Sequence, residues 1–176
     1  VPHLPGLNCE GMRPAYTVAT VRAAEERLLA EQSHPDQLMQ LAAAAVAEAA
    51  TSMLAAHPGA VVILAGPGGN GGDGLYAGAL LAERGVDVHA LVPQEHHDAA
   101  LDAFLAAGGT VLPSDVSLPD GSETPGSALL IDAIAGLGSA RGLSGTALSL
   151  YEQAVASGVP VLAVDMPTGV DADTGV

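Results

Sequence analysis

Residues able to do chemistry concentrate in three short segments of this chain. Gly66-Pro67-Gly68-Gly69-Asn70-Gly71-Gly72-Asp73-Gly74 packs six glycines, one amide and one carboxylate into nine residues. Glycines let backbone N–H groups approach an anion, and positions 66, 68 and 71 form G-x-G-x-x-G, a phosphate-cradling pattern between a strand and a helix. Asp132 follows the apolar run Ala128–Ile131, and Asp165 follows Val159–Val164. A carboxylate at the tip of a buried strand is costly unless it meets water, a partner or a ligand. Pro167-Thr168-Gly169 adds a rigid turn and a hydroxyl beside the second carboxylate. Amide, carboxylate and hydroxyl oxygens are hard donors, suited to an alkali or alkaline-earth cation and unsuited to zinc. Arg141, in the loop 136–142, is the only arginine in these loops and the expected phosphate contact.

Each of these residues also has a purely structural reading. Asp73 near a helix start serves as a cap, and Asn70 tolerates left-handed turn geometry. Asp132 and Asp165 equally suit the caps of following turns. His96-His97 read as a solvated helix start and His89 as a satisfied strand histidine. No G-x-S-x-G nucleophile elbow occurs, and Cys9 lies outside the patterned region.

The elements that must position these segments follow from periodicity. Val18–Gln32 is apolar at 18, 21, 24, 28 and 29, a helical spacing with Thr17 as N-cap. Asp36–His57 is a second helix with an apolar stripe at Leu38, Leu41, Ala45, Val46, Ala49, Met53 and Leu54. Ala60–Ala65 reads as a strand buried on both faces, followed by a glycine loop over 66–74 and a helix over Gly74–Glu83. A strand over Val86–Val92, a helix over Glu95–Ala107 and a strand over Gly109–Leu112 come next. Pro113–Ser127 is a loop, Ala128–Ile131 a strand, and 136–145 a second glycine loop. A helix over Ser144–Ser157 and a strand over Val159–Val164 complete the order. Strands alternating with helices imply βαβ units and a parallel sheet covered on both faces. Ligands in such sheets bind beyond the carboxyl ends of the strands, where all three segments fall.

Composition narrows the function. The 176 residues carry five basic side chains, all arginine, against 20 acidic ones, a formal net charge of −15. Without a basic cluster, and with only Tyr16, Tyr76, Tyr151 and Phe104 as aromatics, neither phosphate neutralisation nor base stacking on a nucleic acid is supported. No lysine exists for a Schiff base or a Walker motif, and one cysteine excludes an intrachain disulfide. No apolar run approaches the roughly 20 residues of a membrane span, and the N-terminus lacks a signal-peptide pattern, so a cytoplasmic protein is expected.

Together, GPGGNGGDGL (66–75), IDAIAGLG (131–138) and VDMPTGVDADTG (164–175) resemble the NAD(P)H-hydrate epimerase family, the YjeF N-terminal domain. The helices VRAAEERLLA and LMQLAAAAVAEAA resemble its opening, so the likeness spans about Tyr16 to Gly175. It implies a three-layer α/β/α Rossmann-like fold, usually a homodimer, that interconverts the R and S forms of hydrated NADH or NADPH. Carried over by position, Gly69, Asn70, Gly71, Gly72 and Asp73 would line the substrate. So would Gly136, Leu137, Gly138, Ser139, Ala140, Arg141 and Gly142. Asn70, Asp132 and Thr168 would hold a potassium ion, and Asp165 would bind substrate and act as the catalytic acid/base. An ADP/ATP-dependent dehydratase, fused or separate, is the implied partner.

Three departures stand out: Thr at 168 in place of the commoner Ser, Gly69 where Asn is common, and an end at Val176 where members of the family continue. Residues 1–11, which precede a methionine and show no periodicity, are expected to be either a native extension or a non-native addition, and 12–176 an epimerase-type domain incomplete at its C-terminal end. Two alternatives remain, a non-catalytic nucleotide-binding or interaction module of the same fold and a Rossmann-type oxidoreductase. The oxidoreductase lacks the ribose-binding acid after its second strand, and retention of Asp165, Asp132 and Asn70 favours the enzyme over the module.

Overall fold

A computed structural model describes residues 16–115, 126–137 and 142–176. Five strands form one sheet, β1 (Ala60–Ala65), β2 (Val88–Leu91), β3 (Thr110–Val111), β4 (Ser127–Ala133) and β5 (Val161–Ala163). All neighbours are parallel, in the order β3-β2-β1-β4-β5. The chain runs outward from β1 through α3 (Gly69–Glu83) and α4 (Asp98–Ala106), then returns to place β4 on the other side of β1. That reversal opens a crevice at the carboxyl ends of β1 and β4, the place where such sheets bind ligands.

Side-chain alternation on the central strands divides the core in two. Val61, Ile63, Leu129 and Ile131 face α3, α4 and α2 (Gln37–Leu54), where Leu75, Phe104 and Ala47 pack. Val62, Leu64 and Leu130 face α5 (Gly145–Ala156) through Leu150 and Ala154. β1 is buried at every position, as its continuous apolar sequence requires. This is the expected three-layer α/β/α architecture.

Five expectations need correction. The stretch 69–74 is not a loop: α3 already begins at Gly69, with Gly68 as N-cap. Glycine costs a helix about 1 kcal/mol per position relative to alanine, but here packing dictates it. A Cβ on Gly71 would overlap the Gly66 carbonyl, and one on Gly74 would lie 2.5 Å from the Ala133 side chain. Asp73 is consequently inside α3 and not its cap. The second correction concerns α2, which buries Ala43, Ala47 and Ala50 while Leu41 is 63% exposed and Ala45 and Ala49 face outward. In an alanine run every face is apolar, and the close approach of the glycine-bearing α3 selects the smallest side chains.

Third, α1 (Val18–Ala30) ends two residues short of the expected Gln32; Thr17 is its N-cap as expected, accepting from Thr20 N at 3.3 Å, and none of its residues is buried. Fourth, β4 runs to Ala133, so Asp132 lies within the strand, while β5 is trimmed to three residues. Fifth, His89 is only half satisfied: Nε2 meets Asp87 at 3.2 Å, but the buried Nδ1 has no partner among the described residues. Residues 1–11 and most of the 113–127 loop lie outside the described residues.

Candidate functional site

β4 and the segment after β5 meet through one carboxylate. Asp132 is 2% exposed. Its Oδ2 accepts from Thr168 N at 2.8 Å, and its Oδ1 from the Thr168 hydroxyl at 2.6 Å and from Ile134 N at 3.4 Å. The Thr168 oxygen in turn accepts from Ala135 N at 3.2 Å. Two loops distant in sequence are thus locked by one buried carboxylate that accepts three hydrogen bonds.

Asp165 is treated differently. It is exposed and adopts φ +65°, one of two described non-glycine residues in the left-handed region. Met166 N donates to Val164 O at 2.8 Å, closing a three-residue γ-turn around Asp165 of the rare positive-φ kind. The same Val164 carbonyl accepts from Asn70 Nδ2 at 2.9 Å, so α3 pins the turn from across the crevice. Strain held in this way clusters at functional sites. The turn swings the carboxylate back over the sheet edge, where Oδ2 accepts from Leu137 N at 2.7 Å. Gly136 makes room for it, since a Cβ there would overlap Asp165 Oδ2 and lie 2.7 Å from Asn70 Oδ1.

A cavity of about 420 Å³ opens over this carboxylate. Gly68, Gly69, Asn70 and Asp73 of the α3 start form one wall, and Ile134, Gly136 and Leu137 another. Leu38, Met39 and Ala42 of α2 supply an apolar side, and α1 crosses it with Arg22, Glu25 and Leu29. Burial pushes the Asp73 carboxyl up to about 7, with the nearby Asp165 and Glu25 carboxylates adding to the rise. A second cavity of about 640 Å³ shares the Gly68 and Gly136 ridge and is lined by Gly66, Pro93, Ser144 and Thr146 among others. It carries no charged side chain among its described lining.

The expected site residues distribute unevenly over these features. Gly69, Asn70, Asp73, Gly136, Leu137 and Asp165 line the first cavity, and Gly142 the second. Gly71 and Gly72 are buried in packing, Gly72 against Met39, and line neither. Asp132 and Thr168 pair directly, whereas Asn70 is bonded to the Asp165 turn. Gly138, Ser139, Ala140 and Arg141 lie outside the described residues. Loop-based reasoning missed Arg22 and Glu25, which reach the cavity from a helix. Their spacing with Leu29 (i, i+3, i+7) marks one helical face and is the signal that was available.

A cation in this site would rest on oxygen alone. Among the described residues no group of three or more His, Cys, Asp or Glu is arranged to hold a metal. Asn70 commits its nitrogen to Val164, leaving Oδ1 without a partner among the described residues. The Asp132 and Thr168 oxygens keep lone pairs beyond the bonds they make. The donor set therefore fits a hard cation.

Residues 35–176 match the family described as YjeF-related protein N-terminus. The bifunctional NAD(P)H-hydrate repair enzyme Nnr of Corynebacterium glutamicum is 41% identical, over 93% of this chain and 29% of that protein. The NAD(P)H-hydrate epimerase of Microbacterium testaceum is 47% identical, over 92% of this chain and 62% of its own length. This chain thus spans less than two thirds of either relative. The crystal structure of yeast ynu0 (YNL200c) has the same fold, with a TM-score of 0.72 at 23% identity, over 90% of this chain and 72% of that one. No helix among the described residues is long and apolar enough to cross a membrane. The chain belongs to the YjeF-related N-terminal family.

Proposed function

We propose that this chain is an NAD(P)H-hydrate epimerase, interconverting the R and S forms of hydrated NADH and NADPH. The observation that carries the reading is Asp165, held in a strained turn by Asn70 and aimed into a cavity beside the glycine-rich start of α3. The names of the Corynebacterium and Microbacterium relatives support it.

The substrate is a hemiaminal, with a hydroxyl on a ring carbon bonded to nitrogen. Protonating that hydroxyl lets the nitrogen lone pair expel water and form an iminium, which water attacks from either face. Asp165 supplies acid–base catalysis to this exchange, a role that contributes about 10²–10⁴-fold. Leu137 N and the Gly136 gap fix the carboxylate for it. First-turn N–H groups of α3 and the Gly136–Gly142 loop receive the phosphate-bearing remainder of the dinucleotide. Asn70, Asp132 and Thr168 would hold a potassium ion, whose charge offsets that of the phosphates. The same reading includes a homodimer, a cytoplasmic location and an ADP/ATP-dependent dehydratase as partner. The bifunctional naming of the Corynebacterium relative supports the last of these.

The test is to incubate the protein with one purified hydrate epimer of NADPH. Formation of the other epimer without net redox change is expected. Tight binding without turnover would replace the proposal by a binding module, and redox turnover of intact cofactor by an oxidoreductase.

A further inference from the structure

Epimerisation through an iminium has two faces to serve, while the mechanism above assigns one carboxyl. Water leaves one face of the ring and adds to the other. A group that protonates the departing hydroxyl is therefore badly placed to take the proton from the incoming water. Reactions of this kind are best served by two acid–base groups reaching the same carbon from different walls, one protonated while the other is ionised.

The cavity over Asp165 also holds the carboxyls of Asp73 and Glu25, and it is Asp73 whose carboxyl is withdrawn from solvent. Asp73 projects from the second turn of α3, while Asp165 comes from the turn after β5, so the two enter from different elements. Asp73 is half-buried and has no hydrogen-bond or ion-pair partner among the described residues. A carboxyl in such surroundings costs stability unless it is paired or protonated, so its presence calls for an explanation other than packing. It does not cap α3, whose N-cap is Gly68. The charged groups sharing the cavity are Asp165 from the β5 turn and Arg22 and Glu25 from α1, and the α2 side offers only Leu38, Met39 and Ala42.

We propose that Asp73 is a second catalytic residue of this site, working with Asp165 as a pair in which each carboxyl serves one face of the hydrated ring. The proposal rests on the epimerase reading above. In one direction Asp73 gives its proton to the ring hydroxyl. The C–O bond breaks, the nitrogen lone pair forms the C=N bond and water departs. A water then adds to the other face, its oxygen forming the new C–O bond while the π pair returns to nitrogen, and its proton passes to Asp165. After this direction the proton returns from Asp165 to Asp73 through water in the shared cavity; the reverse direction exchanges the roles, with Asp165 giving the proton, Asp73 taking it, and the return running from Asp73 to Asp165. The raised proton affinity of Asp73 agrees with this division, keeping an acid available near neutrality beside an exposed Asp165.

The experiment measures kcat and KM for epimer interconversion between pH 5 and 9, with the uncatalysed rate subtracted. Wild type, Asp73→Asn, Asp73→Glu and Asp165→Asn are compared, with circular dichroism to establish that each folds. Wild-type kcat is expected to fall as pH rises past about 7, the proton affinity of Asp73. Asp73→Asn is expected to lower kcat by about 100-fold, within the range of a lost acid–base group, to leave KM nearly unchanged and to erase that limb. Asp73→Glu, which restores an acid, is expected to recover part of kcat and the limb. A variant Asp73→Asn with near-wild-type kcat, with the limb intact, or with a defect confined to KM overturns the proposal while leaving the epimerase reading standing. An inactive wild type overturns both.

Discussion

Asp132 and Asp165 stand at one edge of one sheet, yet the fold gives them opposite surroundings. Asp132 is 2% exposed, held in regular strand geometry and bonded to both groups of Thr168 and to Ile134 N. Asp165 is exposed, sits at φ +65° and accepts one backbone bond from the described residues, leaving most of its lone pairs to the cavity. The first has most of its acceptor sites filled by groups that join two loops, and at most a lone pair remains for a cation. The second is held under strain by neighbours and left chemically open. A carboxylate's role is thus set by how many of its acceptor sites the protein already fills.

Substitutions sharpen or break this contrast. Asp165→Asn is expected to have the largest effect, about 10²–10⁴-fold in kcat, with an unchanged melting temperature, because asparagine tolerates left-handed geometry. A large stability loss in that variant would show Asp165 to be structural after all. Asp132→Asn should behave in the reverse way. It turns an NH₂ toward one of the backbone or hydroxyl donors and loses a charge-assisted bond. About 2–3 kcal/mol of stability is at stake, read as a melting temperature lower by roughly 5–10 °C. Urea unfolding that finds Asp132→Asn as stable as the parent would break the distinction.

Thr168→Val removes a donor to Asp132 and an acceptor for Ala135 N. It is expected to cost about 1–3 kcal/mol, while Thr168→Ser, which keeps the hydroxyl, leaves unfolding midpoints near those of the parent. A Ser variant as damaged as the Val one would mean that the methyl group, and not the hydroxyl, joins the loops.

A further contrast is a pH dependence. The ordinary carboxyl of Asp73 at 3.8 rises to about 7 in the fold, so folding takes up a proton between these values. Its contribution is therefore most favourable below 3.8, is lost progressively as pH rises toward 7, and stays lost above. Asp73→Asn should gain melting temperature relative to wild type across that interval and hold a constant advantage beyond it. Parallel melting curves for the two proteins from pH 4 to 8 would remove Asp73 from the buried groups.

Much of this was determined by the sequence alone. The apolar run of β1, the strand–helix alternation and the chemistry of Asn70, Asp132, Asp165 and Thr168 are all written in residue type and spacing, because strand burial and oxygen-donor character are properties of single residues. What the tertiary structure decided is of another kind. A run of alanines in α2 has no preferred face, so only the approach of α3 selected Ala43, Ala47 and Ala50. The glycines at 69–74 disfavour a helix locally, and close packing makes one, with Gly71 against Gly66, Gly72 against Met39 of α2 and Gly74 against Ile63 and Ala133 of the sheet. Arg22 and Glu25 reach the cavity because α1 crosses it. The division between a heavily bonded Asp132 and an open Asp165 arises because their partners are supplied by segments distant in sequence, which meet only when the sheet is assembled.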